Sequence, residues 1–251
     1  DEKNKVIYLA PFAGSTKILK YNLDGTFVTD YDLGERLNKP KLSLNPDGSI
    51  SLVHLCFQGM SEMMGAVITP DSTITKYIPA PGQAINPRDK NGSFVGFNNE
   101  IWSYNNVEGF KYMMMPVDTL YNYNAAANKM EAQFALSNPP VGEDVFLIYD
   151  ELPGKYLATV WGKGTIVVDN KNNNSHYVKL VNDYFGGLPA PMNFTNGWFF
   201  AMYEPAVLME NIEKRMAASD CTDKDKELLK DLLGSLDEND NNVMFIGKLK
   251  K

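Results

Sequence analysis

Tight-turn signals recur at a nearly constant interval in this 251-residue chain, each set between apolar, β-prone stretches. That interval constrains the fold more than any single motif. Asn22-Leu23-Asp24-Gly25-Thr26, Asn45-Pro46-Asp47-Gly48-Ser49 and Thr69-Pro70-Asp71-Ser72-Thr73 place Asp24, Asp47 and Asp71 at spacings of 23 and then 24 positions. Asp-Gly supplies the positive φ that a tight hairpin turn demands, and a proline ahead of it presets the approach to the turn. Two such hairpins make a unit of about 45 residues, the length of a four-stranded propeller blade. The chain therefore reads as all-β, a β-propeller of four-stranded antiparallel blades.

Five units can be counted. The first has strands at Val6 to Phe12, Lys17 to Tyr21 and Phe27 to Tyr31; the second at Leu42 to Leu44, Ile50 to Phe57, Met64 to Thr69 and Ile74 to Ile78. The third runs from Phe94 to Phe97 through Ile101 to Tyr104 and Phe110 to Val117 to a stretch around Phe134. The fourth has Val145 to Tyr149, Tyr156 to Trp161, Thr165 to Val168 and Tyr177 to Val181. The fifth has Met192 to Phe194, Gly197 to Tyr203 and Val243 to Leu249, with two helices inserted at about 204–237. Pro205 suits the first turn of one helix, with Leu208, Ile212 and Met216 on one face. Thr222 followed by Asp225 caps the second, whose apolar stripe is Leu228, Leu229, Leu232, Leu233 and Leu236, expected to pack on the outside of the array. The first and last units are incomplete. An all-β array of this length can fold as one domain, so residues 1–251 are expected to form a single propeller domain.

Charge narrows the partners. Thirty-one acidic against 24 basic residues give a formal charge of −7, with no basic cluster, which argues against nucleic acid because phosphate binding needs a basic stripe. No apolar run approaches the roughly 20 residues of a membrane span, and Asp1-Glu2-Lys3-Asn4-Lys5 is not a signal peptide, so the chain is expected to be cytosolic or a mature or trimmed form. The two cysteines, Cys56 and Cys221, lie in dissimilar contexts and make no disulfide framework.

Three segments carry a resemblance to a known family: Gly164-Thr165-Ile166-Val167-Val168-Asp169-Asn170-Lys171; Leu180-Val181-Asn182-Asp183-Tyr184-Phe185-Gly186-Gly187-Leu188; and the helical insertion followed by Glu238-Asn239-Asp240-Asn241-Asn242-Val243-Met244-Phe245-Ile246-Gly247-Lys248-Leu249-Lys250. Together with Ile18 to Val28, they resemble the six-bladed β-propeller proteins common in Bacteroides and its relatives, which are usually exported and often lipid-anchored. The resemblance implies six blades where five are countable. It also implies a location in the periplasm or attached to the outer membrane, with any lipid anchor outside the supplied chain. It transfers no catalytic residues.

Local motifs for catalysis, metals and cofactors are absent. Gly59-Met60-Ser61-Glu62-Met63 lacks the second glycine of a nucleophile elbow and lies between strands. His54 and Cys56 would share one side of a strand, but the apolar surroundings make His54 a core or channel residue rather than a metal ligand. His176 reads as a solvated residue beside the Asn-rich turn. Asp237-Glu238-Asn239-Asp240-Asn241-Asn242 begins like a calcium loop yet has Asn at its sixth position and Lys248 at its twelfth, so it reads as a turn, as does Asp169 to Asn174. No cofactor, metal or catalytic set is therefore expected. Trp102, Trp161 and Trp198 are expected to pack between blades, as is the Met-rich stretch Phe110 to Met115.

In a four-stranded blade the first and third turns lie at one end, where the short turns at Gly25, Gly48, Asp71 and Asn172 belong. The longer connections, 58–62, 79–92, 105–109, 137–144, 162–164 and 183–191, fall at the other. Binding residues gather on long loops of a rigid scaffold, which makes Arg88, Asp89, Tyr104, Lys163, Asp183 and Tyr184 the candidate ligand contacts. The leading expectation is a non-catalytic exported propeller that binds a protein or carbohydrate through this long-loop face. The alternative is a glycan- or lactone-directed hydrolase or lyase whose site assembles from several blades at the channel mouth. A third reading makes the propeller an assembly platform with the helical insertion as its docking surface.

Overall fold

A computed structural model describes residues 1–115, 117–138, 147–190 and 193–250. The chain divides into two compact units, Asp1–Tyr149 and Asp150–Lys251. In the first unit β1 (Val6–Leu9), β2 (Lys17–Asn22) and β3 (Phe27–Asp32) form a three-stranded antiparallel sheet in that order. A four-stranded sheet follows, of β4 (Lys41–Leu44), β5 (Ile50–Val53), β6 (Gly65–Ile68) and β7 (Ile74–Tyr77). The next is built from β8 (Ile101–Trp102), β9 (Phe110–Met114), β10 (Leu120–Asn124) and β11 (Lys129–Phe134), again in chain order across the sheet. β12 (Leu147–Leu152), β13 (Lys155–Val160), β14 (Gly164–Asp169) and β15 (Ser175–Val178) make the fourth sheet and carry the chain into the second unit.

A two-stranded ribbon, β16 (Val181–Asn182) with β17 (Leu188–Pro189), precedes the last sheet, which orders β18 (Phe194–Thr195), β19 (Trp198–Tyr203) and β20 (Val243–Lys248). Between β19 and β20 lie α1 (Pro205–Met216) and α2 (Asp223–Gly234). The fold is the expected all-β propeller type, built from meandering antiparallel blades with two helices before the last strand. The resemblance implied six blades; five are found among the described residues, the first and last with three strands each.

The reason these segments form blades is visible in the second sheet. All four residues of β5 and all four of β6 are buried, as expected of central strands covered on both faces. On one face Ile50, Leu52 and Ile68 pack with Ile18, Tyr31, Leu33 and Leu37 of the first sheet and the segment after it. On the other, Val53 and Val67 pack with Phe110, Tyr112, Tyr123 and Met130 of the third sheet. Each such aliphatic side chain contributes about 1.5–3 kcal/mol on burial.

The helical insertion follows its sequence signals. Pro205 occupies the first turn of α1, and Leu208 and Ile212 are fully buried. Together with Leu229 of α2 they cover Ala201 and Phe245 on one face of the last sheet, while Leu228 turns away from that cluster and is exposed. Thr222 caps α2: its hydroxyl accepts the Asp225 N–H at 3.2 Å and donates to the Asp225 carboxylate at 2.7 Å. Replacing Thr222 by Ala is expected to cost about 1 kcal/mol in urea denaturation, because it orphans a first-turn donor.

The third sheet departs from the expected strand assignment. Residues 96–98 form a 3-10 turn rather than a strand, and β10 supplies the strand that was missing. This moves the strands at Ile101 and Phe110 forward by one place and leaves the strand ending at Phe134 fourth. Its first and third turns are therefore 103–109 and 125–128, so the 105–109 connection belongs to the short-turn end and not, as expected, to the long-loop end. The tryptophans also depart from expectation: Trp161 and Trp198 are exposed rather than covered by neighbouring sheets, and Trp102 is half-buried.

Candidate ligand-binding cleft

Four hairpin ends of the first unit, β4–β5, β6–β7, β8–β9 and β10–β11, surround a cleft of about 880 Å3. The β4–β5 turn is fixed by Asn45, whose side-chain amide donates to the Ser49 and Ser51 hydroxyls at 2.9 Å each, and by Gly48 at φ +83°. Ser49 donates its N–H and its hydroxyl to the Asp47 carboxylate at 2.9 and 2.6 Å, and these bonds hold that carboxyl below the usual carboxylate range. The β10–β11 turn needs a left-handed residue and finds it in Asn128, at φ +47°. Asn128 accepts the Tyr123 hydroxyl at 2.6 Å and donates to the Lys76 carbonyl at 3.0 Å, tying the third sheet to the second. In the β8–β9 connection Asn105 accepts the Lys111 N–H at 3.0 Å. Gly109 there has φ +100°, and a Cβ on it would sit 2.6 Å from Asn122 Oδ1, so only glycine lets the Asn122 amide lie across that turn.

The cleft floor is Val67, Phe110 and Tyr123, all buried. Its walls are hydroxyls and amides, including Ser43, Thr69, Thr75, Asn122 and Asn124, with two carboxylates, Asp47 and Glu108, and no lysine or arginine among the described lining residues. Asn122 Oδ1 is buried and has no hydrogen-bond partner among the described residues. A second hollow of about 660 Å3 lies across the β4–β5 turn, sharing Leu44 to Asp47 and Thr69 with the first and adding Asp1, Lys3, Tyr8 and Lys20.

His54 is a core residue, as expected. It is fully buried, its Nδ1 accepts the Asn38 N–H at 3.3 Å, and its Nε2 lies 3.0 Å from the Met63 carbonyl and 3.4 Å from Glu35 Oε1. Nδ1 can accept only when it carries no proton, so the ring is the neutral tautomer with its proton on Nε2. Burial raises the Cys56 thiol to about 11, with the Glu35 charge adding to the effect, which makes it a poor nucleophile. Both cysteines are free thiols. Ser61, of the failed nucleophile elbow, accepts the Phe57 N–H within its own turn at 3.2 Å. His176 is exposed, within β15 rather than in the adjoining turn. Among the described residues no three His, Cys, Asp or Glu side chains gather as a metal set.

The six candidates from sequence fall in separate places. Arg88 and Asp89 share one loop and serve it: Arg88 donates to the Gly92 carbonyl at 2.7 Å, and Asp89 accepts the Asn91 and Ser93 N–H groups at 2.8 and 2.9 Å. That loop is anchored to the other expected one at 58–62, where Phe57 bridges Ile85 and Gln58 N–H donates to the Ile85 carbonyl at 2.9 Å. Tyr104 sits on the same connection as Glu108 and Gly109 of the cleft. In the second unit Lys163 is exposed in the β13–β14 turn, and Asp183 and Tyr184 begin a short 3-10 turn, with Tyr184 77 % exposed. Glu108, Asn122, Tyr123 and Asn128 went unnoticed in the sequence. The alternation of Tyr121, Asn122, Tyr123 and Asn124 before a run of small residues was the signal that could have found β10.

No family model matches the chain, and no curated protein matches it. Among solved structures, an auxiliary nutrient binding protein from Bacteroides thetaiotaomicron aligns with 70 % of this chain and 38 % of its own, at 9 % identity and a TM-score of 0.38. A putative exported protein from Bacteroides fragilis aligns with all of this chain and 76 % of its own, at 13 % identity and a TM-score of 0.59, which is a likeness of fold.

Proposed function

We propose that the protein is a non-catalytic, exported cell-envelope propeller, one domain over 1–251, that binds a carbohydrate. The observation that carries this is the lining of the 880 Å3 cleft: amides, hydroxyls and two carboxylates over an aromatic floor, without a cation. Such walls offer donors and acceptors to a hydroxyl-rich ligand and repel an anionic one. Export is supported by the resemblance of the C-terminal segments and by the fold shared with a putative exported protein. The hydrolase or lyase reading asks for an acidic pair or a His–acid pair open to substrate: Asp47 and Glu108 both line the cleft, but Asp47 is held by the Ser49 N–H and hydroxyl of its own turn, and His54 with Glu35 is closed to substrate because His54 is fully buried.

Titration calorimetry with neutral, amino and uronic acid oligosaccharides tests the proposal. A neutral or amino sugar is expected to bind, Asn122→Ala and Glu108→Ala each to weaken it about tenfold, and uronates to bind about tenfold worse. Arg88→Ala, Lys163→Ala and Tyr184→Ala are expected to leave affinity unchanged. Loss of binding in those three, with the cleft variants unaffected, would return the site to the long loops, where Arg88, Asp89, Lys163, Asp183 and Tyr184 were expected to bind. Failure of every sugar would sink the carbohydrate reading.

A further inference from the structure

Within the second unit, one face of the last sheet is left largely open by the described residues, with only Phe200 at its centre half-buried. Phe199, Ala201, Tyr203, Val243 and Phe245 point to the side packed on α1 and α2. The cross-strand pairs Trp198↔Lys248, Phe200↔Ile246 and Met202↔Met244 alternate with them and share the opposite face. There Trp198 is 42 %, Met202 58 %, Met244 58 % and Ile246 65 % exposed. Contiguous exposed apolar surface of this kind marks an association site, and methionines suit a surface that must adapt to another.

Charge on this face is polarised. Glu204 follows Met202 on the same side, held in extended backbone at φ −64°, ψ 138°, and its carboxylate makes no cap bond to α1. Lys248 lies at the other end, its ammonium 5.8 Å from the Trp198 ring centre. Six residues of strand separate Trp198 from Glu204, about 20 Å, so the acid and the base of one copy are too far apart to pair. An apolar strip with an acid at one end and a base at the other complements itself when turned through 180°.

We propose that this face joins two copies of the chain about a two-fold axis, strands antiparallel across the interface, with Glu204 of each copy against Lys248 of the other. Two-fold contact is the commonest way a self-complementary patch is used, because it closes and leaves no further site open. The apolar centre supplies the association and the two end pairs set its direction, since exposed pairs of this type add little energy but penalise the wrong register.

Sedimentation of the full chain over a concentration series is the test. The expected result is a species of twice the chain's mass at about 100 μM that dissociates on dilution, as a modest interface should. Ile246→Lys is expected to remain monomeric there with an unchanged circular dichroism spectrum. Glu204→Lys and Lys248→Glu are each expected to weaken the dimer about tenfold, and an equimolar mixture of the two to recover it as a heterodimer. A chain that stays monomeric at every concentration, a dimer that survives Ile246→Lys, or a mixture that recovers nothing overturns the proposal. So does abolition by Leu9→Lys, which would assign the occupant to the exposed face of the first sheet, where Ile7, Leu9 and Phe27 lie.

Discussion

Replacing Gly65 by Ala is expected to lower the unfolding free energy by about 3 kcal/mol, the upper end of the range for overpacking a core. Gly65 opens β6, opposite Val53 on one side and Tyr77 on the other, in a strand whose four residues are all buried. Its backbone is not left-handed, so the glycine is there for space rather than for conformational freedom. A Cβ would stand 2.7 Å from the Leu52 carbonyl oxygen and 2.8 Å from Met130 Cε. The methionine end can swing aside, but the Leu52 carbonyl belongs to the neighbouring strand, and moving it strains the ladder that pairs β5 with β6. Urea denaturation measures the loss, and a change under about 0.5 kcal/mol would show that the second sheet has slack between its faces. Met130→Ala in the same background separates the two contacts: a side-chain clash alone would be partly relieved, a backbone clash would not.

The contrast between Gly65 and Gly48 shows what the sequence made legible. Gly48 lies in an Asn-Pro-Asp-Gly turn whose chemistry is complete within five residues, so the turn and the strands flanking it could be read directly. The capped second helix was legible for the same reason, with Thr222 and Asp225 three positions apart. Gly65 gave no local sign, because the atoms that require it come from Leu52 and Met130, 13 and 65 positions away. The third sheet failed for a related cause. Phe94 to Phe97 has the apolar character of a strand but turns as a 3-10 helix, whereas Leu120 to Asn124 forms a strand with asparagines at alternate positions. Counting 94–97 as a first strand shifts the strands at Ile101 and Phe110 by one place, which is why 105–109 was expected at the wrong end, and missing β10 hid the shift because the strand at Phe134 stays fourth either way. The cleft was hidden for a further reason: its walls come from residues 43–49, 67–75 and 108–128, brought together only by the packing of two sheets. Trp198 makes the complementary point. Its strand was read correctly, but whether a strand's face is covered depends on a neighbour that local periodicity does not describe.

His54→Ala is expected to cost about 3 kcal/mol, from the void it leaves and the hydrogen bonds it breaks. The imidazole spans two segments: Asn38, in the connection from the first sheet to the second, donates to Nδ1, and Met63, just before β6, accepts from Nε2. Alanine leaves a void and removes the partners of a backbone N–H and a backbone carbonyl at once. Glu35 completes the arrangement, accepting the Glu62 N–H at 2.9 Å and the Met63 N–H at 3.2 Å while lying 3.4 Å from His54 Nε2. Desolvation pushes the Glu35 carboxyl upward, but hydrogen bonds from His54, Glu62 and Met63 together outweigh it, and the folded value lies below the ordinary one. A carboxyl lowered by folding contributes stability that is fully present above its unfolded value, near pH 4.3, and is lost as pH falls through the folded one. Glu35→Gln should therefore be less stable than the native chain at pH 6, and the gap between them should close as pH drops below about 4. Denaturation of both proteins across that window decides it, because other carboxylates titrate alike in the two and cancel in the difference. In a double-mutant cycle at pH 6, His54→Ala and Glu35→Gln are expected to couple by about 1 kcal/mol. A gap that stays constant with pH would mean that the Glu35 carboxylate holds the Glu62 and Met63 turn through its shape rather than its charge.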